Sequence, residues 1–260
     1  MAENVQAIKE QRPLPARYEK LQTIWGEEAL RQIMDSHVMV LGVGGVGSNC
    51  TEALARGGVG RITILDRDVV AESNINRQAI AFYSTLGQRK VDVMEGMIKD
   101  INPEAQVTKF FQFLRQEEME AFLDEYARDV DYVVDAIDTI SAKLKLAELA
   151  PKYSFKLISS MGGANKVQPE CFKIADLYDT VNCPLCRIMR KEGRKRGITE
   201  LKVLYSCEQP IDTGMGVDWE RSERKDLGTA SFVPPIFGQM IAGEVLRDLA
   251  GFSDRMDDAS

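Results

Sequence analysis

Gly42-Val43-Gly44-Gly45-Val46-Gly47 is the stretch of this chain that decides its expected fold. It closes an apolar run that begins at Val38, and it opens a segment rich in alanine and leucine. An apolar strand that enters spaced glycines and continues as a helix forms a phosphate site. Glycine permits the tight turn, and the first N–H groups of the helix attract anions. The stretch therefore predicts a βα unit that binds a nucleotide.

A carboxylate follows the glycines at the distance expected for a ribose-binding residue. Asp66 comes directly after the next apolar run, residues 62–65. In a dinucleotide-binding unit the ribose-binding acid lies about 20 residues beyond the glycines. Such a unit suits NAD, a flavin or ATP, and the glycines and Asp66 alone leave the choice among the three open.

The rest of the chain predicts an α/β protein. Strand-like runs are expected at residues 38–43, 62–65, 107–113, 132–136, 156–160, 171–174 and 201–205. Helical patterns are expected at residues 18–34, 116–127, 141–150 and 236–249. One further helix is expected to begin at residue 46, and another to end at residue 101. This alternation predicts a Rossmann-like, doubly wound fold with a mostly parallel sheet, helices on both faces and a smaller C-terminal extension.

The domain boundaries follow from the same pattern. Residues 1–16 are expected to be a tail because Pro13 and Pro15 interrupt them, and residues 252–260 a second tail. Residues 17–251 are expected to form a single domain. Its nucleotide-binding core is 17–163, and its substrate-side extension and C-terminal helix are 164–251.

Composition excludes several classes of protein. The 260 residues carry a net charge of −7, which argues against a generally basic nucleic-acid binder. No apolar run approaches the ~18 residues typical of a membrane span, so no membrane partner is expected. The polar N-terminus lacks a signal-peptide core. Five cysteines without such a signal predict reduced thiols and a cytoplasmic location.

Polar residues near the predicted strand ends favour ATP over NAD. The loop after Asp66 carries Ser73-Asn74-Ile75-Asn76-Arg77-Gln78, Lys90 begins a helix, and Asp138 follows a strand. Attack on the α-phosphate of ATP needs cations on the phosphates, here Arg77 and Lys90. It also needs Mg²⁺, for which Asp138 is the candidate ligand. Hydride transfer has little use for this combination.

In order and spacing these residues resemble the adenylating superfamily of ubiquitin-activating enzymes and the ThiF and MoeB adenylyltransferases. The chain is most similar to the tRNA threonylcarbamoyladenosine dehydratases within it. The likeness covers most of residues 17–180 and returns at 228–238, whereas residues 181–227 match less clearly. The predicted nucleotide-binding residues are Gly42, Gly44, Gly45, Gly47, Asp66, Asn74, Asn76, Arg77, Gln78, Lys90 and Asp138.

The resemblance implies an activity and partners. That family uses ATP to adenylate the threonyl carboxylate of a modified adenosine beside the tRNA anticodon, which then cyclises with release of AMP. Arg17 resembles the superfamily's N-terminal arginine, which reaches the partner's ATP site in a homodimer. The resemblance thus implies four catalytic residues, namely Arg17, Arg77, Lys90 and Asp138. A cysteine desulfurase or sulfur-acceptor system is a further candidate partner.

Three other functions remain as alternatives. The first is an adenylyltransferase for the C-terminal glycine of a ubiquitin-like sulfur carrier. The second is an NAD(P)-dependent oxidoreductase. The third is a catalytically silent member that serves as a binding scaffold.

The remaining polar residues allow competing interpretations. Cys183 and Cys186 form a single CxxC pair, so a zinc site would need both plus Cys171 and Cys207. A cysteine nucleophile is a second alternative, and plain thiols are the third. His37 is interpreted as a polar strand-end residue rather than a general base. The basic segment 187–196 is either an RNA contact or a solvated helix surface.

Overall fold

The computed structural model describes residues 13–213 and 227–252. Most of both predicted tails lies outside these ranges. Within the described ranges no helix is both long enough and apolar enough to cross a membrane.

Seven strands form one sheet in the described part of the chain. They are β1 (His37–Leu41), β2 (Arg61–Asp66), β3 (Gln106–Phe111), β4 (Tyr132–Asp135), β5 (Lys156–Ser160), β6 (Phe172–Asp176) and β7 (Lys202–Ser206). Their order is β3-β2-β1-β4-β5-β7-β6, and β6 is antiparallel to β7 while every other neighbouring pair is parallel. The predicted doubly wound, mostly parallel sheet is confirmed.

Helices cover both faces of the sheet, as predicted. They are α1 (Glu19–Trp25), α2 (Glu27–Asp35), α3 (Gly45–Arg56), α4 (Lys90–Ile101), α5 (Met119–Tyr126), α6 (Ile140–Leu149), α7 (Pro184–Lys195) and α8 (Val233–Leu249). Val38 and Val40 of β1 pack into the same core as α3, α4 and α8, whereas Met39 and Leu41 pack with α5 and α6. Burial on both faces explains why β1 is a continuous apolar run rather than an alternating one.

The C-terminal part continues the central sheet. β7 pairs with β5, and β6 forms the sheet edge. α8 packs so closely on α3 that a Cβ on Gly238 would lie 2.5 Å from the carbonyl oxygen of Val46. α8 begins at Val233, three residues before the predicted start, with Pro234 and Pro235 in its first turn. Proline is tolerated there because a first-turn N–H has no partner within the helix.

The strand order places the site. The chain runs outward from β1 through β2 to β3, and then returns to add β4 on the other side of β1. At this reversal the connections after β1 and β4 leave in opposite directions, which opens a crevice at the carboxyl ends of the two strands.

Candidate nucleotide-binding site

A crevice of about 420 Å³ opens at this reversal point. It is lined by nine of the twelve residues that the sequence predicts for the site: Gly42, Gly44, Gly45, Asp66, Asn74, Arg77, Gln78, Lys90 and Asp138. The other three, Gly47, Asn76 and Arg17, lie outside its lining. The structure therefore brings together most of a set that is spread over almost 100 residues of sequence.

Two glycines bring the loop between β1 and α3 against neighbouring backbone. Gly42 has φ +95°, and a Cβ there would lie 2.6 Å from the carbonyl oxygen of Ala136. A Cβ on Gly47 would lie 1.7 Å from the carbonyl oxygen of Gly42. Gly47 thus lets the first turn of α3 fold back on the loop, and it shapes the crevice without lining it.

Replacing Gly47 with alanine is expected to destabilise the protein by about 3 kcal/mol, because backbone must move to admit the new methyl group. The midpoint of urea unfolding measures the loss. The control is Gly243→Ala in α8, where nothing lies within 4 Å of the added Cβ. Alanine in a helix interior should stabilise this control by roughly 0.5–1 kcal/mol. An unchanged midpoint for Gly47→Ala would contradict this account of the loop.

Asp66 ties the end of β2 to the glycine loop. Its Oδ2 accepts the N–H of Val43 at 2.7 Å, and its Oδ1 accepts the N–H of Asp68 at 2.8 Å. Asp68 also lines the crevice, and the sequence analysis missed it. Its only signal was its place two residues beyond a strand that ends in Asp66.

Two cations line the crevice and are held there by protein acceptors. Lys90 is 4% exposed, and its Nζ donates to Oδ2 of Asp68 at 2.9 Å. Arg77 donates to the carbonyl oxygen of Ser73 at 2.9 Å and to Oδ1 of Asn76 at 2.7 Å. Asn76 therefore orients a crevice residue without lining the crevice. Such positioned cations favour a bound anion.

The amide side chains of the loop between β2 and α4 have different hydrogen-bond partners. Asn74 Oδ1 accepts the N–H of Ala71 at 3.1 Å. Asn76 Nδ2 donates at 3.3 Å to the carbonyl oxygen of Thr229, which connects the loop to the segment before α8. Gln78 is buried in the crevice wall, and its Oε1 accepts no hydrogen bond within the described residues. Because buried polar atoms are normally paired, this oxygen is suited to accept a hydrogen bond from a ligand.

Asp138 is an exposed carboxylate in the turn that follows β4. Thr139 Oγ1 donates to its Oδ1 at 3.3 Å. The turn is fixed from its buried side by Asp135, whose Oδ1 accepts the N–H of Ile137 at 3.1 Å.

Asp135 belongs to a fully buried ion pair that the sequence analysis missed. Lys143 Nζ of α6 lies 2.8 Å from Asp135 Oδ2 and 3.1 Å from Ser159 Oγ of β5. Ser159 also donates to Asp135. The side chains of Lys143 and Asp135 are only 2% and 1% exposed. Both charges are paired, as buried charges must be, and the pair sets the shape of the turn that carries Asp138.

α8 supplies a wall of the crevice through Val233, Pro234 and Phe237. A Cβ on Gly45 would lie 2.8 Å from the Cβ of Pro234, so α8 packs directly on the glycine loop. No local sequence pattern assigns these wall residues to the site. Their only signal was the family likeness of residues 228–238.

Arg17 lies far from this crevice within its own chain. It donates to Asn102 Oδ1 at 3.2 Å and to Glu104 Oε2 at 2.8 Å. Glu104 lies two residues before β3, so these contacts are at the amino ends of the strands, opposite the crevice. The predicted role of Arg17 in a partner's site stays a prediction.

The four candidate zinc cysteines form two separate pairs. In the described chain no three cysteine, histidine, aspartate or glutamate side chains come together as a metal site, so the four-cysteine zinc alternative is not supported. Cys183 caps α7, its Sγ accepting the N–H of Cys186 at 3.5 Å. A hydrogen bond from the Cys186 thiol lowers the pKa of Cys183 to about 6, against the opposing effect of burial.

His37 occupies the strand-end position that the sequence predicts. It begins β1, and its Nε2 lies 2.9 Å from Thr63 Oγ1. Burial lowers the pKa of the imidazole. The side chain lies at the amino end of the sheet, opposite the crevice, and it does not line the crevice.

Comparisons with known proteins identify relatives of this chain. The chain is 43% identical over 233 residues to the tRNA threonylcarbamoyladenosine dehydratase of Bacillus subtilis, covering 86% of this chain and 91% of that one. The solved structure of the Escherichia coli enzyme of that name in complex with ATP has a TM-score of 0.80. It is 29% identical, and the match covers 92% of this chain and 96% of that chain.

A second branch of the superfamily matches over a shorter range. The molybdopterin-synthase adenylyltransferase of Escherichia coli is 36% identical over 121 residues, which is 46% of each chain. The model of the ThiF family matches residues 17–258. The chain therefore belongs to the ThiF family.

Proposed function

We propose that this protein is an ATP-dependent tRNA threonylcarbamoyladenosine dehydratase. The observation that carries the proposal is that the glycine loop, Arg77, Lys90 and Asp138 line one crevice. The names of the relatives that match most of this chain supply the substrate. We place the reaction in the cytoplasm, with tRNA as the partner that brings the modified adenosine.

The chemistry proceeds in two steps that balance. An oxygen of the threonyl carboxylate attacks the α-phosphorus of ATP, and the bond to the β-phosphate oxygen breaks to release pyrophosphate. A nucleophilic atom of the same threonylcarbamoyl group then attacks the acyl carbon while that group gives up one proton. The bond from the acyl carbon to the adenylate oxygen breaks, and AMP leaves with this former carboxylate oxygen. The ring closure is effectively unimolecular, because the reacting groups belong to one bound molecule.

The residues of the crevice fit ATP. The first N–H groups of α3 would donate to a bound anion, and Gly44 and Gly45 line the crevice without side chains that would keep phosphates at a distance. Arg77 and Lys90 offset phosphate charge. The unpaired oxygen of Gln78 can accept a donor of the nucleotide.

Mg²⁺ also fits the donor set. Magnesium in nucleotide sites is bound by one or two carboxylates together with phosphate oxygens and water. Asp138 is the carboxylate that we assign as the magnesium ligand. When bound, the ion neutralises charge that develops on the leaving pyrophosphate.

The homodimer is part of the proposal. Arg17 lies at the opposite edge of its own sheet, so a catalytic role requires a second copy of the chain. There it would stabilise developing phosphate charge in the partner's crevice. A solution mass of one chain at working concentration would exclude this arrangement. A sulfur-transfer partner stays a prediction from the resemblance alone.

The product assay tests the proposed function. Incubation of the protein with ATP and tRNA that carries the uncyclised modification is expected to release AMP and to remove the mass of one water from the nucleoside. With ¹⁸O in the threonyl carboxylate, one labelled oxygen should appear in AMP. ATP with a ubiquitin-like sulfur carrier is the comparison. An adenylated carrier with no change in the tRNA would establish the alternative adenylyltransferase instead.

A further inference from the structure

One side of α7 carries a row of basic residues. Arg187, Lys191, Arg194 and Lys195 are spaced i, i+4, i+7 and i+8, so they lie on one face of the helix. All four are exposed. We call this set the basic face of α7.

The other basic residues of the helix have structural roles. Arg190 turns inward and donates to the carbonyl oxygen of Thr180 at 2.9 Å. Arg196 lies 3.7 Å from a carboxylate oxygen of Glu148. Cys186, Met189 and Gly193, on the opposite side of α7, are buried. The basic face is therefore distinct from the residues that hold the helix on the domain.

The charges of this face are only partly balanced. Lys195 Nζ lies 2.7 Å from Oε1 of Glu192, and Cζ of Arg194 lies 5.1 Å from the centre of the Tyr178 ring. Within the described residues, Arg187 and Lys191 have no carboxylate within 4.0 Å. Like charges at i and i+4 destabilise a helix by about 0.2–0.5 kcal/mol. In a chain of net charge −7, such a concentration of cations fits an anionic partner better than it fits a stabilising role.

The amino end of the helix that carries the basic face lies beside the nucleotide crevice. Leu185 in the first turn of α7 lies 3.6 Å from the position of a Cβ on Gly162, and the adjoining Gly163 and Ala164 line the crevice. α7 has 12 residues, which corresponds to about 18 Å. A polyanion with one nucleotide in the crevice can therefore extend along this helix.

We infer that the basic face of α7 binds the phosphate backbone of the tRNA that presents its modified nucleotide to the crevice. This inference rests on the proposed function. Arginine and lysine contacts to phosphates give binding that is independent of base sequence and weakens as salt increases. α7 would thus supply affinity and orientation, and the crevice would supply the chemistry.

A pair of matched double variants tests the inference. Arg187→Gln/Lys191→Gln removes two charges from the basic face. Lys99→Gln/Arg128→Gln removes two exposed charges at the amino ends of the strands, far from the crevice. The first is expected to weaken tRNA binding on the order of tenfold and to reduce the slope of log affinity against log salt by about 1–2. The second should leave both values near wild type. The charge-preserving swap Arg187→Lys/Lys191→Arg should restore most of the affinity.

Two further readouts separate this inference from the proposed function. The KM for ATP should not change in either double variant, because neither pair lines the crevice. The unfolding temperature should stay within about 2–4 °C of wild type, because all four residues are exposed. Wild-type protein that releases no AMP with modified tRNA would overturn the proposed function. If the wild-type protein is active and Arg187→Gln/Lys191→Gln binds tRNA with unchanged affinity and salt slope, the inference alone would be overturned.

Discussion

The Asp138→Asn variant is expected to form AMP from ATP about 10²–10³-fold more slowly than wild type, with little change in stability. Asparagine keeps the size of the side chain but loses the negative charge that we assign to magnesium, and removing one such electrostatic contact has effects of this order. Asp138 is exposed, so the free energy of unfolding should stay within about 0.5 kcal/mol of wild type. Single-turnover AMP formation with modified tRNA measures the effect.

Magnesium dependence and a control substitution sharpen this experiment. The magnesium concentration for half-maximal activity should rise in Asp138→Asn, because the protein contributes one ligand fewer. Asp100→Asn makes the same chemical change on the exposed surface of α4, outside the crevice lining. It should leave AMP formation and magnesium dependence unaltered. Equal rates for wild type and Asp138→Asn would remove Asp138 from the catalytic machinery.

Lys143→Met is expected to have the largest effect on stability, a loss of about 3–5 kcal/mol. The substitution leaves the Asp135 carboxylate buried without its ammonium partner, 2.8 Å away in the wild type. Removing one partner of a buried ion pair destabilises a protein by this amount, whereas replacing both partners has a smaller effect on stability. The double variant Asp135→Asn/Lys143→Met should therefore recover part of the loss. Urea unfolding of wild type, Lys143→Met, the single variant Asp135→Asn and the double variant completes the double-mutant cycle.

A neighbouring lysine provides the matched control. Lys145 lies on the same helix and pairs with Glu148 at 3.1 Å, but its side chain is 25% exposed. Lys145→Met should change the free energy of unfolding by less than about 1 kcal/mol. The KM for ATP should rise in Lys143→Met and not in Lys145→Met, because only the buried pair supports the turn before Asp138. Equal stability losses in the two variants would contradict this assignment.

The sequence predicts the fold well where information is local. Strands β1 and β2 are apolar runs, glycines mark the turn after β1, and helices end at recognisable breakers such as Asn102-Pro103. The carboxyl-edge placement of Asp66 and Asp138 follows from the parallel sheet. For these reasons the doubly wound architecture and most of the crevice lining could be written down from the chain alone.

The remaining features depend on contacts between distant residues. Lys143 looks like an ordinary helix lysine, and nothing in its sequence surroundings indicates that Asp135 and Ser159 enclose it. The placement of Pro234 over Gly45 joins residues almost 190 positions apart, which no local pattern encodes. Gly47 was expected among the nucleotide-binding residues, whereas the structure places it against the backbone of Gly42.

The packing of α8 on the glycine loop has a consequence for biosynthesis. While the ribosome is still adding residues before 233, the nascent polypeptide has its phosphate loop but not the helix that closes over it. Domains fold as units, so the affinity for nucleotide should arise only when α8 leaves the exit tunnel. ATP would then stabilise molecules that include α8 and leave chains terminated before it to proteolysis.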